Sequence, residues 1–122
     1  MNFNIYKNNK YGNKKIYGNG EKFDSKLEYE RYKQLKLLER TGEIRNLRLQ
    51  TKFVLQPAYT KNGKKIRAIE YFADFTYYDT RKEKMIVEDT KGIKTEVYKI
   101  KKKIFEYKYP DLEIVEIRKE DV

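Results

Sequence analysis

At 122 residues the chain is long enough for one domain with a substantial core and too short for two. It carries 29 Lys and Arg against 19 Asp and Glu, a formal charge of +10, which favours a polyanionic partner, most commonly nucleic acid. The absence of Cys and His excludes disulfides, thiolate nucleophiles, histidine bases and zinc sites built on thiolate or imidazole.

Any chemistry must therefore rest on carboxylates, Lys, Arg, Tyr, Ser or Thr. The 12 Tyr and 6 Phe supply much of the bulk for a core. The longest apolar runs, such as Met85-Ile86-Val87, are too short to span a bilayer, and the N-terminus lacks a signal-peptide apolar region. A soluble protein of a reducing compartment, the cytoplasm, is expected, with no membrane partner.

Residues 1–22, rich in Asn, Gly, Lys and Tyr, show no apolar periodicity and read as a flexible basic arm. Residues 23–122 read as a single domain. Ser25 begins a helix, with Glu28 three positions on in the capping-box pattern and Phe23 placed to staple its start. Leu27, Leu35 and Leu38, with Tyr32, give this helix an apolar stripe that Arg31 interrupts, and Gly42 stops it. A strand is expected around Thr51–Tyr59, then a hairpin turn at Lys61-Asn62-Gly63-Lys64 and a return strand over about Ile66–Tyr78. After a charged turn, a third strand covers Lys84–Lys91 and ends at Gly92. Thr95 caps a second helix over about Glu96–Tyr109, with Val97, Ile100 and Ile104 as its buried stripe beside Phe105, and Pro110 terminates it. The last strand, Leu112–Ile117, does not assign its faces cleanly. The predicted order is α-β-β-β-α-β.

Asp74 stands among Tyr71, Phe72, Ala73 and Phe75, where a charge is costly to bury unless it meets a cation or a metal. In the next strand the period of two puts Met85, Val87, Asp89 and Lys91 on one face. Antiparallel neighbours can bring Asp74 beside Asp89. Two carboxylates without a histidine suit Mg²⁺ or Mn²⁺, and Lys91 then points into the same site, where it can hold a water and stabilise an anionic transition state. The competing reading of Asp89 and Lys91 is an exposed i, i+2 ion pair of roughly 0–1 kcal/mol. Glu88 is the alternative to Asp89 if a local bulge reverses the strand's parity.

The wording Phe23-Asp24-Ser25-Lys26-Leu27-Glu28-Tyr29-Glu30, then Tyr71-Phe72-Ala73-Asp74-Phe75, then Val87-Glu88-Asp89-Thr90-Lys91-Gly92, set in this order of elements, resembles the PD-(D/E)XK nuclease superfamily. Within it, the chain looks most like small phage-encoded, Holliday-junction-resolvase-like endonucleases. The resemblance implies an α/β (α+β) restriction-endonuclease-like core, a central mixed sheet flanked by helices. It implies that Asp74 and Asp89 bind the divalent metal with the backbone carbonyl of Thr90, that Lys91 positions the attacking water, and that Glu28 completes the acidic cluster. Ala73 stands where the family name puts Pro. Glu28 retains its alternative as the partner of the Ser25 cap, and Glu30 is the other acidic candidate on that helix.

Lys94, Lys99, Lys102 and Lys103 after the third strand, and Lys14 and Lys15 in the arm, are the candidate DNA contacts; the bland reading of such a run is a solvated face. No base-reading module is apparent, which favours selectivity for DNA shape. The expectation is thus a Mg²⁺- or Mn²⁺-dependent endodeoxyribonuclease acting on branched or four-way DNA as a homodimer, in the host cytoplasm if phage-encoded. The alternatives are a duplex- or end-processing nuclease of the same fold, a non-catalytic phage DNA-binding protein, or a basic adaptor in a replication or packaging complex.

Overall fold

A computed structural model describes residues 6–8, 14–18, 20–91 and 93–122. Helix α1, Lys26–Thr41, starts where the sequence predicts: Ser25 Oγ accepts the Glu28 N–H at 3.1 Å, satisfying an orphan donor of the first turn. It ends at Gly42, whose φ of 85° suits a residue without Cβ. Helix α2, Glu96–Lys108, is capped by Thr95 and closes just before Pro110.

The central sheet has four strands in the order β4-β7-β8-β9. These are β4 (Ile44–Gln56), β7 (Ile69–Asp79), β8 (Lys84–Thr90) and β9 (Ile114–Ile117). The first two pairings are antiparallel; β8 and β9, joined through α2, run parallel. The fold is therefore the expected α+β arrangement, a mixed sheet with two helices in α-β-β-β-α-β order. β4 starts earlier than the sequence suggests, because Ile44, Leu47 and Leu49 reach the core while Asn46 and Gln50, at positive φ, break the alternation that would have announced them. The predicted Asn62-Gly63 hairpin is present as β5 (Tyr59–Lys61) and β6 (Lys64–Ile66), a separate two-stranded ribbon distinct from the long return strand.

Two aromatic-rich clusters hold the layers together. One joins α1 (Tyr29, Tyr32, Leu35) to Ile44, Phe75, Tyr77 and Ile86. The other joins α2 (Tyr98, Phe105) to Leu55, Tyr71, Ala73, Val87 and Ile114. The stripe predicted for α2 is rotated: Val97 and Ile100 are 62% and 58% exposed, Ile104 packs partly, and Tyr98 and Phe105 are buried instead. Aromatic packing explains the rotation, since Phe105 sits edge-on to Phe53 at 4.9 Å and to Tyr71 at 5.5 Å.

The sequence makes residues 1–22 a flexible basic arm. Its described parts form a three-stranded antiparallel sheet, β1 (Tyr6–Asn8), β2 (Lys14–Gly18) and β3 (Glu21–Phe23). Ile16 pairs with Phe23 and both are buried in the α1 cluster, an anchor too short to show as a period. The backbones of Lys14 and Lys15 lie on β2. Their side chains lie outside the described part of the structure, as does Gly92, the predicted stop of β8.

Candidate active site

β7 serves both clusters. Tyr71 and Ala73 belong to the α2 cluster, Phe75 and Tyr77 to the α1 cluster, and Asp74 lies between them where the strand passes from one core to the other. The pairing of Phe75 with Glu88 makes Asp74 and Asp89 the next positions along β7 and β8. Glu28, in the first turn of α1, looks onto the same place. Asp24, Ser25, Glu28, Asp74, Asp89, Thr90 and Lys91 thus line one cleft of about 550 Å³. Three elements distant in sequence meet there.

The adjacent acids of β8 separate cleanly. Glu88, 1% exposed, faces α1, where the Arg31 guanidinium binds it through Nε at 2.8 Å and Nη2 at 2.6 Å. The Tyr77 hydroxyl donates to the same carboxylate. This pair explains why Arg31 interrupts the apolar stripe of α1. Asp89 faces the cleft instead: its Oδ2 accepts the Tyr71 hydroxyl at 2.7 Å and lies 3.3 Å from Lys91 Nζ. Lys91 Nζ also lies 3.9 Å from the centre of the Tyr98 ring, so an acid and an aromatic face together aim the ammonium.

Asp74 is the centre of the network. Its Oδ2 accepts both the Thr90 N–H and the Thr90 hydroxyl, each at 2.8 Å, and its Oδ1 accepts the Gln50 amide at 3.2 Å. The same Gln50 Nε2 donates to Glu28 Oε2 at 3.1 Å, while Glu28 Oε1 accepts the Asp24 N–H at 2.8 Å. Glu28 is therefore part of the helix cap and part of the acidic cluster at once.

Crowding three carboxyls in a buried place shifts their protonation. Burial first, then Asp74, pushes Glu28 up to about 9. Burial, again with Asp74, raises Asp89 to about 7 against the opposing pull of Tyr71 and Lys91. Burial acts on Asp74 as well, but hydrogen bonds from Glu28, Asp89 and Thr90 outweigh it and hold Asp74 below its ordinary value. Asp74 is thus the ionised member and Glu28 carries a proton, while Asp89 lies between them. Among the described residues no three acidic or imidazole side chains already stand in metal-gripping geometry. The donor set nonetheless fits a hard divalent cation, because all three acids offer oxygen and a cation relieves the repulsion that raises Glu28 and Asp89.

The predicted lysines divide. Lys94 Nζ lies 2.8 Å and Lys102 Nζ 3.3 Å from the carboxylate of Glu116. Tyr98 completes that cluster by donating to Glu116 at 2.8 Å. Although partial burial opposes it, Lys94, Tyr98 and Lys102 hold Glu116 down at about 2. Lys99 pairs with Glu96 at 3.2 Å, and Lys103 is exposed on the rim of a second cavity between α2 and β9. Lys94, Lys99, Lys102 and Lys103 all line this second cavity, and Lys94 also borders a neighbouring cleft beside Lys91. Sequence reasoning missed Gln50, Tyr71, Tyr98 and Glu116. Tyr71, in the apolar run around Asp74, carried the best available signal. Gln50 carried none, because its role depends on a left-handed backbone (φ 51°) opposite Asp74.

Residues 8–120 match the model of a family described as a protein of unknown function (DUF1064). No curated protein and no solved structure matches the chain.

Proposed function

The chain belongs to this DUF1064 family, whose description carries no activity, and we propose from its site that it is a metal-dependent DNA endonuclease that hydrolyses phosphodiester bonds. The observation that carries the proposal is the convergence of Glu28, Asp74, Asp89 and Lys91, from α1, β7 and β8, on one cleft in a strongly basic chain. Asp74 and Asp89 would hold Mg²⁺ or Mn²⁺, with Glu28 and the carbonyl of Thr90 as further donors. Such a cation supplies an acidified water and neutralises charge on the phosphate.

The chain's own residues account for the rest. Thr90 fixes the Asp74 carboxylate through two hydrogen bonds, so it meets its ligand without first being ordered. Lys91, held by Asp89 and the Tyr98 ring, presents a cation to the attacking water and to the phosphate. Tyr71 keeps one oxygen of Asp89 oriented. Among the described residues no helix is long and apolar enough to cross a membrane. Branched or four-way DNA is the proposed substrate, and symmetric nicking of a junction would require a homodimer.

The test is cleavage of a labelled four-way junction beside a linear duplex of matching sequence, in Mg²⁺ and in EDTA, with wild type and Lys91→Ala in parallel. Metal-dependent cutting of the junction, lost in the variant, supports the reading. Equal cutting of the duplex replaces branch selectivity with a duplex- or end-processing activity. Binding without cutting under every metal tried replaces the enzyme with a DNA-binding protein.

A further inference from the structure

β8 and β9 are parallel, so their carboxyl ends open on the same side of the sheet, the place where such sheets usually receive ligands. Thr90 is in register with Ile117, and the Lys91 N–H bonds the Ile117 carbonyl at 2.9 Å. The residues that leave β9 are therefore set beside Lys91 by the ladder itself. They are Arg118 and Lys119. A short 3₁₀ turn, Lys119–Asp121, follows, and the Asp121 carboxylate accepts the Arg118 N–H at 2.9 Å, which fixes the chain's direction there.

Together with Leu27 from α1, these residues enclose a cleft of about 410 Å³ lined by Lys91, Lys94, Arg118, Lys119 and Glu120. Lys91 borders both this cleft and the carboxylate site. Two of the cations are already balanced, Lys91 by Asp89 and Lys94 by Glu116. Arg118 and Lys119 make no ion pair with an acidic side chain among the described residues, and both are exposed. Glu120 is the cleft's own acid.

We propose that this cleft is a phosphate seat for the nucleic acid strand, in which Arg118 and Lys119 hold the backbone next to the phosphate at Lys91. The seat deepens the nuclease reading and rests on it for the position of that phosphate. It gives the bound strand a direction, from the carboxylate cleft past Lys91 toward the end of β9. It also moves the principal DNA contacts from α2, where Lys99 and Lys102 are spent on Glu96 and Glu116, to a segment that the sequence pattern did not single out.

The experiment measures binding of the full chain to a labelled four-way junction and to a linear duplex in EDTA, over a fourfold range of salt. Three variants are compared with wild type: Arg118→Ala/Lys119→Ala; Lys82→Ala/Lys84→Ala, which removes the same charge at the opposite end of β8; and Glu120→Gln. Losing two phosphate contacts lowers the log–log salt slope by about two, so the Arg118/Lys119 variant loses about tenfold less affinity across the range than wild type does. The Lys82/Lys84 control keeps the wild-type slope, and Glu120→Gln binds more tightly. Equal slopes for both double variants, or an unchanged slope in the first, overturns the seat. Matching melting curves exclude misfolding, and the Glu120→Gln result, which adds affinity, is independent of any loss of fold. Wild type that cleaves in Mg²⁺ while its salt slope ignores Arg118 and Lys119 overturns the seat and spares the nuclease. Binding that depends on both residues, without metal-dependent cleavage, does the reverse.

Discussion

Glu28→Gln separates capping from chemistry. The carboxylate is 3% exposed, accepts the Asp24 N–H through Oε1, and accepts Gln50 through Oε2. A glutamine of the same shape keeps the first bond, but its amide nitrogen then faces the Gln50 amide nitrogen. Gln50 must turn over to present oxygen, which removes its hydrogen bond to Asp74. The larger consequence is electrostatic. Glu28 ionises at about 9 in the fold against 4.5 ordinarily, because burial and Asp74 oppose its charge. The raised value means that folding takes up a proton between those limits. Its contribution to stability is complete below pH 4.5 and is lost as pH rises through about 9. At about 1.4 kcal/mol per tenfold, that loss is at most roughly 6 kcal/mol. Glutamine cannot ionise and escapes it. In EDTA the melting temperature of the variant should therefore gain on wild type steadily from mildly acidic to alkaline pH. Mg²⁺ should raise the wild-type melting temperature more than the variant's, and cleavage should fall at least a hundredfold, roughly the worth of one well-placed charged group. Thermal melts across pH, with EDTA or Mg²⁺, and junction cleavage read all three. A constant deficit of about 1 kcal/mol at every pH, with an intact Mg²⁺ response and normal cleavage, would reduce Glu28 to a helix cap and sink the argument.

Other substitutions follow from the same geometry. Arg31→Ala strands the buried Glu88 charge and should cost about 3–5 kcal/mol by denaturant unfolding, whereas Arg31→Met combined with Glu88→Met should recover most of it; an additive double variant would refute the pairing. Lys91→Ala should abolish cleavage while junction binding stays within severalfold of wild type, and retained cleavage removes Lys91 from the chemistry. Asp74→Asn should lose both cleavage and the Mg²⁺-induced rise in melting temperature; a normal rise places the metal elsewhere. At Gly18 a Cβ would come within 2.5 Å of the Tyr29 ring, so Gly18→Ala should cost about 1–3 kcal/mol, and an unchanged melting temperature would detach β2 from α1.

The ends of α1 and α2, the Asn62-Gly63 hairpin and strand β8 were legible from the sequence because each is a local matter. A Ser or Thr cap, a terminating Gly or Pro, or a turn that wants positive φ acts within a few residues of itself. Parity within β8 likewise pointed to Asp89 in preference to Glu88 for the cleft, whereas Arg31 showed only as a break in the apolar stripe of α1, with nothing to name its partner. The composition alone confined the chemistry to carboxylates, hydroxyls and cations. Only the tertiary structure decided the rest, since burial is a property of partners rather than of residues. Val97 and Ile100 have the right period to be buried, yet Tyr98 and Phe105 win that face because β7 and β9 offer them aromatic and carboxylate partners. Ile16 anchors β2 in the α1 cluster from a strand of five residues, too short for a period to announce. Gln50 reaches Glu28 and Asp74 because the backbone opposite Asp74 is left-handed, and Arg118 and Lys119 stand beside Lys91 because two strands separated by a helix run parallel. Long-range register set these neighbours, and register is fixed by the packing of both faces of the sheet at once.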